Sequence, residues 1–432
     1  MPLRLDASAP GFEKEFSAFL GRNRDTDENV DRVVAGIVAD VRARGDAAVV
    51  DYTAKFDWAG ITAANMRISN AERDAAAAQV PAAQREALTF AARRIEAFHR
   101  ALMPKDVDFT DATGTRLGAR YRPVDAAGVY VPGGTAAYPS SVLMNIVPAK
   151  VAGVGRIVMV VPTPGGALNP LVMLAAEIAG ADEVWRIGGA QAVAALAYGT
   201  QSIKPVDKIT GPGNAYVAAA KRRVFGQVGI DLIAGPSEIL VVADRHNDPQ
   251  WIAADLLSQA EHDPSSQSVL IADDAAFADA VVRAVDVELK TMARAGIAGL
   301  SWRDNGAVIL VPDFSAAPAI VDAIAAEHVE LALEMAEAEA LSQKIRHAGA
   351  IFLGRHTPEA IGDYVAGTNH VLPTSRAARF SGGLGVADFL KRTSLVACTP
   401  QSLAALGPSA VALADAEGLG AHGRSVSLRL SR

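Results

Sequence analysis

The spacing of apolar residues divides the chain into a helical opening region and a longer region in which strands and helices alternate. Between residues 1 and 103, apolar side chains recur every three or four positions, which is the spacing of an amphipathic helix. Examples are Val30, Val33, Val34, Ile37 and Val41, and later Ala87, Phe90, Ala91, Ile95 and Phe98. We therefore predict that this region is mainly helical.

From residue 128 onward, short apolar runs typical of buried strands alternate with helical runs. Strands are predicted at 128–131, 157–161, 184–187 and 206–209 and, after the Gly235-Pro236 break, at 239–242, 268–271, 308–311 and 350–353. Two such series predict an α/β protein with two Rossmann-like open sheets, largely parallel and flanked by helices. Ligands of such sheets usually bind beyond the carboxyl ends of the strands. The tail from residue 385, with Asp388, Phe389 and Arg392, again looks helical, so small helical segments are expected at both chain ends.

Composition places the chain among ordinary globular proteins. It has 432 residues, of which 50% are hydrophobic and 21% charged, and its formal net charge is -7. No basic block or aromatic-basic pattern indicates nucleic-acid binding. Charged residues interrupt the first 16 positions and proline or charged residues interrupt the longer apolar runs. We therefore expect no signal peptide, no membrane span and a cytoplasmic location.

Gln259 and His262 are the first candidate pair of metal ligands. They end an apolar helical run, and a spacing of three residues places them on one helix face, where both can hold one ion. Six of the eight histidines lie in the last two fifths of the chain: His262, His328, His347, His356, His370 and His422. This distribution indicates a metal or acid/base site built from distant segments. The alternative is that Gln259 and His262 only cap the end of a helix.

The only cysteine, Cys398, restricts what such a site can contain. It rules out an internal disulfide and a thiolate-rich zinc site. A bound metal would therefore need histidine, carboxylate and amide ligands.

Three glycine-rich loops, at 131–135, 188–191 and 211–214, follow predicted strands. Glycine at a strand-to-helix turn lets backbone N–H groups approach a phosphate or ribose closely. Each loop alone is more often a structural turn, but three at successive strand ends favour a nucleotide-sized ligand. The G-x-G-x-x-G match at 418–423 has no strand before it, and we do not interpret it as a dinucleotide site.

Seven groups of residues, in order along nearly the whole chain, resemble one enzyme family. They are 130–134 (YVPGG), 211–215 (GPGNA), 234–238 (AGPSE), 259–262 (QAEH), 327–328 (EH), 362–364 with 367–374, and 417–422. These segments are similar to those of the histidinol dehydrogenases. Agreement of seven segments in order and spacing is far more specific than any single motif.

The resemblance implies a zinc-dependent, NAD-linked enzyme that oxidises L-histidinol through L-histidinal to L-histidine, the final steps of histidine biosynthesis. It implies one Zn²⁺ per subunit, with the ligands Gln259, His262, Asp363 and His422, and the general acid/base pair Glu327 and His328. The implied NAD contacts are Tyr130, Gln191 and Asn214. The implied substrate contacts are Ser237, Gln259, His262, His328, Asp363, Glu417 and His422.

The resemblance also implies a homodimer with shared active sites. We expect residues 1–24 to form an N-terminal helical segment, and residues 25–128 with 237–384 to form a catalytic α/β domain. Residues 129–236 are expected to form a Rossmann-like NAD-binding domain. Residues 385–432 are expected to form a C-terminal tail that reaches the partner subunit's site.

The residue types support this chemistry. Oxidising a primary alcohol requires a base for the hydroxyl proton, and oxidising the aldehyde requires an activated water; a histidine and a carboxylate can serve both steps. On a helix, Glu327 and His328 would diverge by about 100 degrees and address different sides of the substrate. Alternatively, they are a solvated charge pair. Zinc bound by amide, carboxylate and imidazole would orient the substrate rather than ionise water. A covalent route through Cys398 is disfavoured, because no neighbour in sequence would activate its thiol.

Three other functions compete with this one. A zinc hydrolase would not need three glycine-rich loops, and a catalytically inactive binding protein would be expected to lack the Glu327–His328 pair or a metal ligand. The nearest alternative is a related zinc- and NAD-dependent dehydrogenase that acts on a different small alcohol, since fold and cofactor survive a change of substrate. Glu417 favours a substrate that carries an amino group.

Overall fold

The computed structural model describes residues 1–21, 28–133, 138–233 and 235–431. Gly134 and Thr135 of the first glycine-rich loop and Ala234 of the third sequence motif lie outside these residues. The expected boundary between residues 24 and 25 also lies outside them.

Strands and helices alternate over most of the described chain. The strands are β1 Leu3–Asp6, β2 Val107–Thr110, β3 Arg116–Pro123, β4 Ala126–Tyr130, β5 Arg156–Val160, β6 Glu183–Trp185, β7 Lys208–Thr210, β8 Gly229–Ile230, β9 Glu238–Ala243, β10 Gln267–Ala272, β11 Ala307–Leu310, β12 His328–Ala332, β13 Ala350–Leu353 and β14 Leu390–Ala397. The α-helices are α1 Phe12–Leu20, α2 Glu28–Arg44, α3 Asp46–Phe56, α4 Asn70–Ala77, α5 Ala82–Ala101, α6 Pro139–Ala152, α7 Pro170–Ala179, α8 Gly189–Tyr198, α9 Ala215–Val224, α10 Pro249–Ala260, α11 Ala275–Glu288, α12 Ala295–Asn305, α13 Ala317–Ile324, α14 Met335–Ser342, α15 Glu359–Tyr364, α16 Pro400–Ala416 and α17 Gly420–Leu430. None of the described helices is both long enough and apolar enough to cross a membrane.

Two parallel sheets form the framework of the molecule. One has five strands in the order β6-β5-β4-β7-β8, and the other has six in the order β1-β11-β10-β9-β12-β13. All strand pairs within these two sheets are parallel. The prediction of two open parallel sheets is therefore confirmed, and each of the eight predicted strands overlaps an observed one. In both sheets the strand order reverses next to the first strand of the series, between β4 and β7 and between β9 and β12.

Helices cover both faces of each sheet, which explains why most of the strands consist of buried apolar residues. The opening helices pack largely against the five-stranded sheet and its helices. Val34 of α2 shares a hydrophobic core with Val193 of α8, and Ile95 of α5 shares another with Ile146 of α6. The division into four domains stays a prediction.

The N-terminal segment, predicted to be helical, begins with a strand. Strand β1 pairs in parallel with β11, with Leu3 opposite Ala307. Leu5 is buried while Arg4 and Asp6 on either side of it are not, which is the alternation of an edge strand. Four residues are too few for this alternation to stand out from the helical pattern that follows.

The prediction that the chain returns to helix after residue 385 is wrong for residues 390–397, which form a strand between a 3-10 helix at Val386–Phe389 and helices α16 and α17. Strand β14 pairs antiparallel with β3, and β3 pairs with β2 to complete a three-stranded sheet. From Lys391 to Ala397 every residue of β14 is exposed. Without a buried face the strand shows no apolar alternation, so its backbone hydrogen bonds, rather than its side chains, hold it in place.

A buried ion pair fixes the loop that follows β7. Lys221 Nζ donates a hydrogen bond to the carbonyl oxygen of Gly211 at 3.0 Å, and Asp231 Oδ2 accepts one from the Gly211 N–H at 2.8 Å. The two side chains, which are 2% and 1% exposed, also contact each other. Gly211 has a φ of +112°, and a Cβ there would lie 2.0 Å from the carbonyl oxygen of Tyr130. The pair therefore secures a turn that only glycine can make.

We predict that Lys221→Met will destabilise the protein strongly. The substitution leaves the Asp231 carboxylate buried without its counter-ion, which typically costs about 3–5 kcal/mol. The measurement is the free energy of unfolding from urea denaturation. Arg223→Met on the same helix is the control, because Arg223 pairs with the exposed Asp31 where water screens the charges. Equal effects of the two substitutions would contradict a structural role for the buried pair.

Candidate active site

Buried acidic and imidazole side chains meet where β9 and β12 begin. Glu238 is the first residue of β9 and His328 the first of β12, and in the sheet register His328 lies opposite Ile239. In this sheet the site is thus at the amino ends of the strands, not at the carboxyl ends where the sequence predicted ligands. The reason is that α10 runs back toward the amino edge and delivers Gln259 there at its last turn.

His328 is held with one nitrogen engaged and the other available. Its Nδ1 lies 3.1 Å from the carbonyl oxygen of Glu238, so Nδ1 carries the proton and donates it. Nε2 is buried, receives no hydrogen bond from a described residue, and lies 3.8 Å from carboxylate oxygens of Glu359 and Asp363. Burial lowers the pKa of His328 to about 3. The imidazole is therefore neutral near pH 7, with a free lone pair on Nε2.

Glu327 lies beside His328 but not on a helix. The two residues lead into β12, so the helical angle expected between their side chains does not apply. Glu327 Oε2 accepts a hydrogen bond from the Glu238 N–H at 3.0 Å and lies 3.8 Å from His328 Nδ1. Burial raises the pKa of Glu327 well above its usual value. The alternative of a solvated charge pair is excluded, since both side chains are buried.

Three donor groups lie close enough together to hold a metal ion. One ligand atom each from His328, Glu359 and Asp363 falls within 4.8 Å of the others. Burial, with the charge of Asp363 second, raises the pKa of Glu359 to about 8, and burial raises that of Asp363 to about 6. A divalent cation would offset this concentration of buried carboxylates.

Gln259 supplies an independent sign of a cation. Its side chain is 1% exposed, and its Oε1 is buried without a hydrogen bond from any described residue. A buried amide oxygen without a donor costs free energy that a bound cation would recover. His262 follows three residues later, close enough to His328 for the two imidazoles to influence each other's pKa. Part of His262 is exposed to solvent, but the protein that surrounds its ring lowers the pKa of His262. The ring is therefore neutral and can bind a metal.

Two members of the cluster were not identified as site residues from the sequence. Glu359 lies four residues before Asp363 on α15, and this spacing, which places both on one helix face, could have revealed it. His370 Nδ1 lies 3.7 Å from Asp363 Oδ1, and His370 Nε2 lies 3.4 Å from Ser141 Oγ. Burial lowers the pKa of His370 to about 4. His370 thus lies next to the carboxylate of Asp363 and helps to fix its position.

The residues expected to contact NAD lie together at the carboxyl edge of the five-stranded sheet. Tyr130 ends β4, and its hydroxyl oxygen accepts a hydrogen bond from the Gly189 N–H at 3.1 Å. Gln191 is buried in the first turn of α8. Asn214 caps α9, where its Oδ1 accepts from the N–H groups of Tyr216 and Val217 at 3.1 and 3.2 Å. The structure brings Tyr130, at the end of β4, into contact with the loops that follow β6 and β7.

The remaining expected site residues are divided between the cluster and the C-terminal tail. Ser237 directly precedes Glu238 and so lies at the amino edge of β9. Glu417 and His422 are exposed at the turn between α16 and α17, two helices that pack chiefly against each other. Among the described residues of a single chain, neither joins the His328 cluster. The fourth expected zinc ligand is therefore not supplied from within the described part of the same chain.

Comparisons with known proteins identify the family. Residues 20–430 match the sequence model of the family described as Histidinol dehydrogenase. Curated histidinol dehydrogenases from Rhodospirillum rubrum and Ruegeria pomeroyi are 64% and 63% identical to this chain. Each alignment covers 100% of this chain and 99% of the relative. The crystal structure of histidinol dehydrogenase from Elizabethkingia anophelis superposes with a TM-score of 0.95 at 34% identity, covering 100% of this chain and 98% of that one. The chain belongs to the histidinol dehydrogenase family.

Proposed function

We propose that this oxidoreductase converts L-histidinol to L-histidine through L-histidinal, in two successive NAD-linked oxidations that use one Zn²⁺ per subunit. The observation that carries the proposal is the neutral His328, whose free Nε2 faces the carboxylates of Glu359 and Asp363 beside the unpaired amide oxygen of Gln259. This arrangement combines a base with cation ligands in one buried pocket.

The proposed zinc ligands are Gln259, His262 and Asp363 of one chain and His422 of its partner. The unpaired Oε1 of Gln259 and the neutral ring of His262 suit the ion. When bound, zinc in this donor set would orient a substrate with amine and imidazole nitrogens, both of which are good ligands. Glu359 is buried, and no lysine or arginine among the described residues pairs with it. Its carboxylate would help to balance the charge of the bound ion.

His328 and Glu327 carry out the proton transfers in this proposal. In the first oxidation, Nε2 of His328 takes the alcohol proton, while Nδ1 stays bonded to the Glu238 carbonyl and fixes the tautomer. In the second, Glu327 receives a proton from the water that adds to the aldehyde. The raised pKa of Glu327 suits a group that must hold a proton and release it, and a nearby cation would bring that pKa down toward neutrality.

NAD, which would accept the hydride of each step, is proposed to lie across the carboxyl edge of the five-stranded sheet, in contact with Tyr130, Gln191 and Asn214. Gly211 supports this location, because its lack of a Cβ leaves the backbone after β7 directly against Tyr130. The proposed substrate contacts are Ser237, Gln259, His262, His328 and Asp363 of one chain, with Glu417 and His422 of the partner. The carboxylate of Glu417 suits the substrate's amino group.

We propose a homodimer in which the α16–α17 hairpin completes the active site of the partner. The hairpin exposes Leu413, Leu419 and Leu428, which are 65%, 43% and 48% accessible in the single chain. Helices that bury so little of their apolar surface within their own chain need another surface to pack against. Family membership and ordinary globular composition support a cytoplasmic location.

The first test is the ratio of NADH formed to L-histidinol consumed. We expect about two NADH per histidinol and no free aldehyde, because one pocket serves both oxidations. The ratio is measured spectrophotometrically at completion, with an aldehyde trap as the control. A ratio near one with trapped aldehyde would contradict the two-step reaction, and activity only with another alcohol would favour the related dehydrogenase.

The second test concerns the metal. We expect His262→Ala to lose both zinc, measured by elemental analysis, and turnover, because removing one ligand commonly empties such a site. His246→Ala is the control, since this exposed histidine lies beyond the carboxyl end of β9, at the opposite edge of the sheet. His328→Asn should keep the zinc and lose orders of magnitude in rate. Full activity in a verified metal-free preparation would remove zinc from the mechanism.

The third test asks whether the active site is shared. Inactive His328→Asn and His422→Asn chains are dissociated, mixed and reassociated. In a mixed dimer one site carries both lesions and the other carries none, so about a quarter of wild-type activity should return. A mixture of His328→Asn with His262→Asn, whose lesions both lie on the proposed same-chain part of the site, should stay inactive. If the first mixture also stays inactive, the tail does not cross to the partner.

A further inference from the structure

A carboxylate from outside the five-stranded sheet reaches the carboxyl end of β5. Asp57 follows α3, and its Oδ2 accepts a hydrogen bond from the Thr163 N–H at 2.8 Å. The side chain is partly buried, and burial raises its pKa. None of the described residues donates a hydrogen bond to Asp57 Oδ1. One carboxylate oxygen is therefore fixed to the strand end while the other is available.

Asp57 lies beside the loops expected to bind the dinucleotide. It is close enough to Tyr130, at the end of β4, for its charge to raise the pKa of that phenol in addition to the larger effect of burial. Gly133 and Gly188 border the same region, since a Cβ at either would lie within 2.9 Å of the Pro162 side chain. Trp58 packs against Gly166 on the far side. Asp57 thus lies close to the ends of both β4 and β5.

The strand order of the sheet predicts what a carboxylate in the position of Asp57 binds. In a sheet of this order, the phosphates of a dinucleotide lie over the loop after the first strand, and a carboxylate near the end of the second strand binds the adenosine ribose. The first strand here is β4 and the second is β5. The segment after β5, residues 161–169, contains no aspartate or glutamate. Asp57 is the acidic residue that the fold brings to that end.

We propose that Asp57 binds the adenosine ribose of NAD and selects NAD over NADP, an inference that rests on the proposed use of a nicotinamide dinucleotide. A carboxylate oxygen can accept a hydrogen bond from the ribose 2′-hydroxyl, whereas it repels the 2′-phosphate of NADP.

The basic residue at the neighbouring strand end is not free to bind a phosphate. Arg186 follows β6 directly, but its guanidinium is held by Glu72 at 2.5 Å. It also lies 5.9 Å from the centre of the Trp58 ring, and its side chain is 7% exposed. Arg186 is therefore already paired and offers no binding site for the 2′-phosphate of NADP.

The competing explanation is that Asp57 only fastens the end of α3 to β5. Asp57→Asn separates the two roles, because the asparagine Oδ1 can still accept from the Thr163 N–H but carries no charge. Asp207→Asn is the matched control. Asp207 also accepts backbone hydrogen bonds, from the N–H groups of Asp125 and Ala126 at 3.0 and 2.9 Å, but at the amino edge of the same sheet.

The experiment measures the dissociation constants of NADH and NADPH by nicotinamide fluorescence, without histidinol, together with the melting temperature. The wild-type protein and Asp207→Asn should prefer NADH. In Asp57→Asn the affinity for NADH should fall about tenfold while that for NADPH holds or rises, with the melting temperature nearly unchanged. Asp57→Ser, which keeps a short acceptor, should behave likewise and serves if Asp57→Asn folds poorly.

The possible outcomes are distinct. An unchanged ratio of the two affinities, or an equal loss of both, would overturn the role of Asp57 while leaving the proposed NAD-linked reaction intact. If the wild-type protein binds neither nucleotide, the proposed cofactor fails and this inference fails with it.

Discussion

The parallel pairing of β9 with β12 is the constraint on which the site depends. Its register sets His328 opposite Ile239, so the His328 ring meets the carbonyl of Glu238 while the Glu327 carboxylate meets the N–H of the same residue. Both backbone polar groups of one residue, Glu238, at the sheet's amino edge are thereby used to orient two reactive side chains. Because a shift of one residue would turn His328 to the other face, the apolar packing of the whole sheet fixes the geometry of the pocket.

The pocket concentrates carboxyl groups in a place where they are costly. Below Glu359, Ser258 Oγ donates to its Oε2 at 3.0 Å, and the nearby Asp255 and Glu330 are also largely buried. Burial raises the pKa of Asp255 to about 6 and that of Glu330 well above its usual value. Such groups are tolerated only with shared protons or a compensating cation. Binding of a cation would therefore relieve the electrostatic cost of these buried carboxyl groups.

The sequence predicted the parts of the fold whose side-chain pattern is local. The strand at 350–353 agrees with β13, and all eight predicted strands were found. The sequence did not predict β12, because Glu330 interrupts the apolar run at the centre of that strand. The Glu330 side chain is nevertheless buried. The sequence also did not predict β2, β3 and β14, which have no buried residue and are held mainly by pairing with one another. The resemblance identified the expected site residues, but not Glu359, His370 or the Lys221–Asp231 pair, whose roles arise from contacts between distant segments.

The first strand imposes an order on the assembly of the chain. Strand β1 is complete within the first six residues, yet its partner β11 ends only at residue 310. During synthesis the strands of the five-stranded sheet emerge while β1 still lacks the edge to which it will bind. The six-stranded sheet can then close only by bringing residues 3–6 to residues 307–310, at a cost in chain entropy that its buried core must exceed. Until β1 pairs with it, β11 presents an open strand edge, and such an edge on a ribosome-bound chain can associate with neighbouring chains.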